Sequence, residues 1–274
     1  MASDQDLDRF RMVAEEAAEE GARVVAGHFG HPLSGREQKG SGDYVTSVDR
    51  ESEQAIRRLL LRAAPDVPVL GEEGGGERNG LHWAVDPLDG TTNFMLGLPV
   101  VAVSVALVDS GVPLVGAVRA PLLDLTFSGA RGLGAWSEGM RLHVSERPAS
   151  RAIVATGFPF RDRSFVPVYL PAFVRILARS EDLRRAGSAA LDLAWVAAGV
   201  FDGFFELNLS EWDVAAGSLL VEEAGGAVTG WNGGSDYLAD GHILAGSPAT
   251  HRMLLSAARE ASREAPQPGR PAPT

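Results

Sequence analysis

Apolar residues recur at helical spacing from the start of the chain. Leu7, Phe10, Ala14, Ala17, Val24 and Val25 share one face of a segment over 4–28, which Gly30 and Pro32 stop. "GREQKGSGD" (35–43) reads as a mobile loop. A second amphipathic helix carries Val48, Ala55, Ile56, Leu59 and Leu60 on one side. "PVLGEEGG" (68–75) is a short buried strand ending in glutamates and glycines. From Val100 the runs "VVAVSVALV", "VPLVGAVRA", "LTFSGA" and "GAWSEGMRLHV" are β-rich and separated by glycine or proline turns, with "DSG" as a hairpin signal. They predict an antiparallel sheet.

After about residue 150 strands and helices alternate. "AIVATG", "LRRAG", "FDGFFEL", "GAVTGW" and "HILAGS" read as strands. Residues 164–179, "SAALDLAWVAAG", "WDVAAGSLLVEEAG" and the segment opened by Pro248 read as helices. The pattern predicts an α+β fold of mixed sheets layered with helices. One domain is expected over 1–262, with an antiparallel half to about 150 and a mixed half from 151. The proline-rich end, 263–274, reads as a disordered tail.

Composition narrows the function. The 274 residues include no cysteine, which excludes disulfides, thiolate metal sites and thiol catalysis and fits a reducing, cytoplasmic setting. Net charge is −11, pI about 5.0 and mean hydropathy −0.01. A nucleic-acid binder usually carries a basic face, so no nucleic-acid partner is expected. No window reaches the roughly 20 apolar residues of a membrane span, and "MASDQDLDRF" lacks the order of a signal peptide.

The chemistry gathers where β-like runs give out. Glu72 lies in "LGEEGG", Asp86 and Asp89 in "WAVDPLDGTTNF", and Asp213 in "EWDVAAG". Each alone reads as a solvated turn or cap residue, as Glu73 does. Together they read differently, because Asp86 follows Trp83, Ala84 and Val85 at the edge of an apolar core, where a carboxylate needs a partner or a metal. Hard oxygen donors without sulfur, and with the histidines scattered at 28, 31, 82, 143, 242 and 251, point to Mg²⁺, with Mn²⁺ as the alternative. The N–H groups of Gly90, Thr91 and Thr92 can hold an anion if a helix or turn starts there; an ordinary threonine cap has similar geometry. Metal ligands beside an anion nest make a phosphate site, where divalent ions bridge the phosphoryl group and activate water.

"WAVDPLDGTTNF", "LGEEGG", "RRAGSAALDLAWVAAGVFDGFFEL" and "WDVAAGSLLVEEAGG" together resemble the inositol monophosphatase family, over nearly the whole chain. The resemblance implies an αβαβα layered sandwich, Mg²⁺-dependent phosphomonoester hydrolysis with two to three ions, lithium inhibition and frequent homodimers. By position, Glu72, Asp86 and the carbonyl of Leu88 would hold one ion and Asp86, Asp89 and Asp213 a second, with a third on Glu72. Thr91, bonded to Asp49, would orient the attacking water; alone, Asp49 reads as the partner of a Thr46 cap. Phosphate would rest on Gly90 and Thr91, and substrate hydroxyls on Glu206, Asp89 and the backbone near Ala189. Lys39 matches a lysine of the family's mobile loop, although a lone loop lysine is otherwise simply solvated. The expected partner is a small phosphate ester of inositol or a related polyol. Fructose 1,6-bisphosphate, adenosine 3′,5′-bisphosphate and histidinol phosphate are the rival substrates, and a non-catalytic regulatory protein of the same fold is the rival class. Thr92 and Asn93 after the first threonine favour the inositol branch over those with lysine there.

Overall fold

The computed structural model describes residues 3–31, 37–40, 43–78 and 80–264; the side chains of 38–40 and 43 fall outside that set, as does the tail from 265. Its layers run helix, sheet, helix, sheet, helix, the αβαβα order expected. The first layer is α1 (Asp4–His28) against α2 (Ser47–Ala63). Both open on capping boxes, Ser3 with Asp6 and Thr46 with Asp49, which satisfy first-turn N–H groups. Small residues let the pair close up: a Cβ at Gly21 would lie 2.7 Å from both Ile56 Cδ1 and Ser52 Oγ.

The second layer has seven strands: β3 (Val69–Gly71), β4 (Leu81–Asp89), β5 (Ala102–Asp109), β6 (Val112–Ala120), β7 (Leu125–Ala130), β8 (Gly134–Ser137) and β9 (Met140–Arg141). They lie in sequence order, β3 parallel to β4 and every later neighbour antiparallel. One face packs on α1 and α2 through Trp83, Val85, Val103, Val105 and Ile56. The other packs on the middle helices, α5 (Ala189–Ala197) and α6 (Glu211–Glu223), through Ala84, Ala106, Val118, Leu193 and Leu220.

The fourth layer is a five-stranded mixed sheet of β10 (Ile153–Thr156), β11 (Asp182–Arg184), β12 (Gly203–Glu206), β13 (Ala227–Thr229) and β14 (Ile243–Gly246), in the order β11-β10-β12-β14-β13. Its outer face is covered by α4 (Val166–Leu177) and α8 (Pro248–Glu264), with Tyr169, Ile176, Phe205 and Leu254 between them. The middle helices are apolar almost all round because they are buried on two sides. The short helices α3 (Thr91–Leu96) and α7 (Tyr237–Asp240) complete the fold.

Three expectations change. The segment read as a mobile loop contains β1 (Glu37–Gly40) paired antiparallel with β2 (Asp43–Val45). Arg50 of α2 holds Glu37 there by two hydrogen bonds of 3.2 and 2.5 Å. The last helix runs to Glu264, past the domain end placed at 262. And β4 does not give out at Asp86. It continues to Asp89 with a register shift: Asp86 pairs with Ser104 and Asp89 with Ala102, so three steps on β4 match two on β5. That is a β-bulge, and Pro87, which has no N–H to give the ladder, sits in it.

Candidate active site

The bulge explains the paired aspartates. In a regular strand, residues three apart face opposite sides. One extra residue restores the parity, and Asp86 and Asp89 line the same cavity together with Glu72, Asp213, Glu206 and Thr91. Each aspartate is fixed by hydrogen bonds from the backbone or a neighbouring hydroxyl. Asp86 Oδ1 accepts from Leu88 N–H at 2.9 Å. Asp89 Oδ2 accepts from Ser188 Oγ and Ala190 N–H, both at 2.7 Å, at the start of α5. Asp213 Oδ2 accepts from Ser210 N–H at 2.6 Å across the first turn of α6. Glu211, next to it, is buried against His82 at 3.0 Å and pairs with Arg78, which ties that helix start to β4.

Like charges dominate the electrostatics. Burial, then the carboxylates of Glu72, Asp89 and Asp213, push Asp86 well above the usual aspartate range. Burial and Asp213 push Asp89 up to about 7. Burial, Asp213 and Asp89 push Glu206 up to about 8. Among the described residues no group of three or more His, Asp or Glu side chains is placed so that it could hold a metal ion as it stands. The donor set nevertheless suits Mg²⁺: hard oxygens only, crowded enough to retain protons even with Arg161 and Arg185 beside them.

Asp49 serves two purposes at once. Its Oδ2 accepts from Thr46 N–H at 2.8 Å and from Thr46 Oγ1 at 2.5 Å, the cap that the sequence suggested. Its Oδ1 lies 3.0 Å from Thr91 Oγ1. The Thr91 hydroxyl also lies 3.2 Å from the Leu88 carbonyl; with one proton to give, it donates best to the carboxylate. Burial raises Asp49 above its ordinary range.

Gly90 precedes α3 with φ +93°, a conformation glycine adopts without strain. A Cβ there would sit 3.0 Å from Val100 O and 3.2 Å from Gly187 O. The first-turn N–H groups of a helix have no partner within it. Glu206 ends β12, and its carboxylate rests where a Cβ on Gly157 would be, which accounts for the glycine of "ATGFPF". Ala189 opens α5 and lines the cavity, while the neighbouring Ala190 N–H serves Asp89. Lys39 lies on β1, but its side chain is outside the described residues.

Sequence reasoning missed several residues. Ser188 was hidden in an apparently ordinary helix start. Arg161 and Arg185 line the cavity but belong to none of the acidic motifs that mark it in sequence. Asp192 also lines it, nearly fully buried, with Oδ1 lacking a hydrogen-bond partner. Burial and then Glu206 raise its proton affinity far above normal. Glu53, four residues after Asp49, carried a readable signal, since that spacing puts both on one helix face.

The inositol monophosphatase family matches residues 6–263. The chain is 41% identical over 253 residues to Nus factor SuhB of Escherichia coli K12, covering 90% of this chain and 95% of that protein. It is 40% identical over 260 residues to the fructose-1,6-bisphosphatase/inositol-1-monophosphatase of Aquifex aeolicus, covering 93% and 97%. The solved inositol monophosphatase from Anabaena (Nostoc) superposes with a TM-score of 0.84 at 37% identity, over 93% of this chain and 97% of that one. No helix among the described residues is long and apolar enough to cross a membrane. The chain belongs to the inositol monophosphatase family and is a hydrolase of the phosphatase kind.

Proposed function

We propose that the chain is a Mg²⁺-dependent phosphomonoesterase acting on inositol monophosphate or a related small polyol phosphate. The observation that carries this reading is the set of carboxylates at one cavity that raise one another's proton affinity, beside the Thr91–Asp49 pair. Glu72, Asp86 and the Leu88 carbonyl would hold one ion, Asp86, Asp89 and Asp213 a second, and Glu72 a third, with Mn²⁺ as the alternative metal. When bound, the ions supply positive charge that acidifies water and neutralises the phosphoryl oxygens. Thr91 donates a hydrogen bond to Asp49, so its oxygen lone pairs are left to accept a hydrogen bond from a water and so orient it. The water oxygen bonds to phosphorus as the ester P–O bond breaks, and the proton that the water gives up is balanced by the one that the leaving alkoxide takes up to become the alcohol. Gly90 and Thr91 N–H groups receive the phosphate. Glu206, Asp89 and the backbone at Ala189 receive the hydroxyls of the polyol.

A second substrate, fructose 1,6-bisphosphate, draws support from Arg161 and Arg185 at the same cavity, two guanidinium groups suited to another phosphate. The Nus factor name of the E. coli relative brings a further reading, in which this chain acts as a Nus factor beside or instead of hydrolysis. Homodimer formation, lithium inhibition and a cytoplasmic location belong to the main reading; light scattering and LiCl titration test the first two. The decisive experiment is phosphate release with Mg²⁺ from inositol 1-phosphate, fructose 1,6-bisphosphate, adenosine 3′,5′-bisphosphate and histidinol phosphate. Release is expected to be fastest from inositol 1-phosphate and to stop in EDTA. Turnover undiminished in excess chelator would end the metal reading, and no release from any ester would leave the Nus factor reading.

A further inference from the structure

One face of α2 holds three segments of the cavity wall. Asp49 holds Thr91. Ser52, fully buried, donates to the Pro87 carbonyl at 2.8 Å, inside the bulge between Asp86 and Asp89. Glu53, 3% exposed, lies one turn beyond Asp49 and reaches the loop that carries Glu72. Its Oε2 accepts from Glu73 N–H at 2.7 Å and its Oε1 from Gly74 N–H at 2.9 Å. Arg57, one turn further, donates from Nε to Glu53 Oε1 at 2.6 Å. The same guanidinium donates to Val69 O at 2.9 Å and Gly75 O at 2.5 Å, on either side of that loop.

The loop is shaped around this carboxylate. A Cβ at Gly71 would lie 2.5 Å from Glu53 Cδ and Oε1, and one at Gly74 2.5 Å from Oε1. Both glycines are therefore steric requirements of Glu53, whereas Gly75 has open space at the same position. The "LGEEGG" motif thus contains one residue for the cavity and a surrounding turn built to fit a buried anion from another element. A buried carboxylate with two N–H donors and a guanidinium is fully compensated.

We infer that Glu53 is a positioning residue: by clamping the Glu73 and Gly74 amides it sets where the Glu72 carboxylate stands, and so sets cation affinity at the cavity. This rests on the proposed metal-dependent hydrolysis. Partners that orient a metal ligand typically change affinity by about 10- to 100-fold when removed.

The test uses the full chain with Mg²⁺ as the probe. Glu53→Gln keeps the shape but can satisfy only one of the two amides with its remaining oxygen. Gly74→Ala attacks the same contact from the loop side, at an exposed position with an ordinary φ, and gives an independent second variant if Glu53→Gln proves insoluble. Three readouts are taken: Mg²⁺ affinity by calorimetry, melting temperature in EDTA, and amide exchange at Glu73 and Gly74 without metal. Both variants are expected to bind Mg²⁺ roughly 10- to 100-fold more weakly, to exchange faster at those two amides, and to regain turnover as Mg²⁺ is raised. Wild-type Mg²⁺ affinity in both variants, with the EDTA melting temperature lowered, would make Glu53 a stability residue and overturn the inference. If the wild type itself binds no Mg²⁺, the metal reading fails along with it. If it binds Mg²⁺ but releases no phosphate, only the hydrolysis reading fails, and the affinity comparison still decides the role of Glu53.

Discussion

Two sets of buried carboxylates stand within one molecule and behave in opposite ways. Asp202 is completely buried, yet it accepts from Ile153 N–H at 2.6 Å and from Arg147 Nε at 3.0 Å. Glu53 is clamped between two amides and a guanidinium. These groups have donors arranged around them and act as struts. In the cavity, Asp86, Asp89 and Glu206 have other carboxylates as their main charged neighbours, and all three hold protons far more tightly than usual. Burial alone therefore does not mark function. What separates the sets is whether compensating positive charge belongs to the chain or must come from outside.

The sharpest way to break that contrast is to neutralise one member of each set. Asp86→Asn should lower kcat by roughly 10²–10³-fold or more, the size of losing a principal electrostatic stabiliser. The same change should raise the melting temperature in EDTA, since it removes a repelled charge. Steady-state kinetics at saturating Mg²⁺ and calorimetry in EDTA check both halves. Near-normal turnover, or a lower melting temperature without metal, would place Asp86 among the struts. Asp202→Ala should do the reverse. Two hydrogen bonds to a charged group are lost, a destabilisation of roughly 1.5–3 kcal/mol each, with kcat per folded molecule unchanged. A fall in kcat without a fall in stability would reassign it.

Much of this contrast was legible in the sequence, but unevenly. The change in hydrophobic pattern near Val100 and again near 150 showed an antiparallel half and a mixed half layered with helices, while the αβαβα order came from the family resemblance. Asp86, Asp89, Asp213 and Glu72 stood out because each ends a strand-like run or starts a helix. What remained hidden was parity. Nothing in "DPLD" states that Pro87 and Leu88 form a bulge, and only the pairing with Ser104 and Ala102 puts the two aspartates on one side. Partners distant in sequence were hidden for the same reason: Ser188 lies 99 residues from Asp89, and Glu53 meets its loop 20 residues on. The segment 35–43 reads as loop because its glycines and charges outweigh strands of three and four residues, whose pairing is supported by Arg50 from outside.

A smaller effect is expected at Glu206, the cavity carboxylate furthest in role from the proposed ions. Glu206→Gln keeps its size and removes its charge. A hydrogen bond to a charged group is worth about 1.5–3 kcal/mol, so kcat/KM on inositol 1-phosphate should fall by roughly 10- to 150-fold at 1.36 kcal/mol per decade. A hydroxyl-free aryl phosphate should lose little. Equal losses on both substrates would put Glu206 with the ligand carboxylates rather than with the substrate.

The smallest expected change, a few degrees in melting temperature, tests whether the cavity set is uncompensated without metal. Asp89 is pushed up to about 7 and Glu206 up to about 8, from ordinary values of 3.8 and 4.5. Between about pH 4 and pH 8 the folded chain therefore keeps protons that the unfolded chain has lost. Stability falls wherever the native state binds more protons than the unfolded one as pH rises. In EDTA the melting temperature should thus decline from pH 5 to pH 8 and level off above it. His82, raised by its bond to Glu211, contributes with the same sign as pH passes its folded value. Magnesium separates the two contributions, because it competes with protons at the carboxylates and not at His82. Added Mg²⁺ should raise the melting temperature much more at pH 8 than at pH 5.5, and its binding near pH 6.5 should release protons, read by calorimetry in buffers of different ionisation enthalpy. A flat EDTA profile with an equal Mg²⁺ shift at both pH values would mean that the cavity carboxylates are already ionised and compensated, and the distinction between the two sets would disappear.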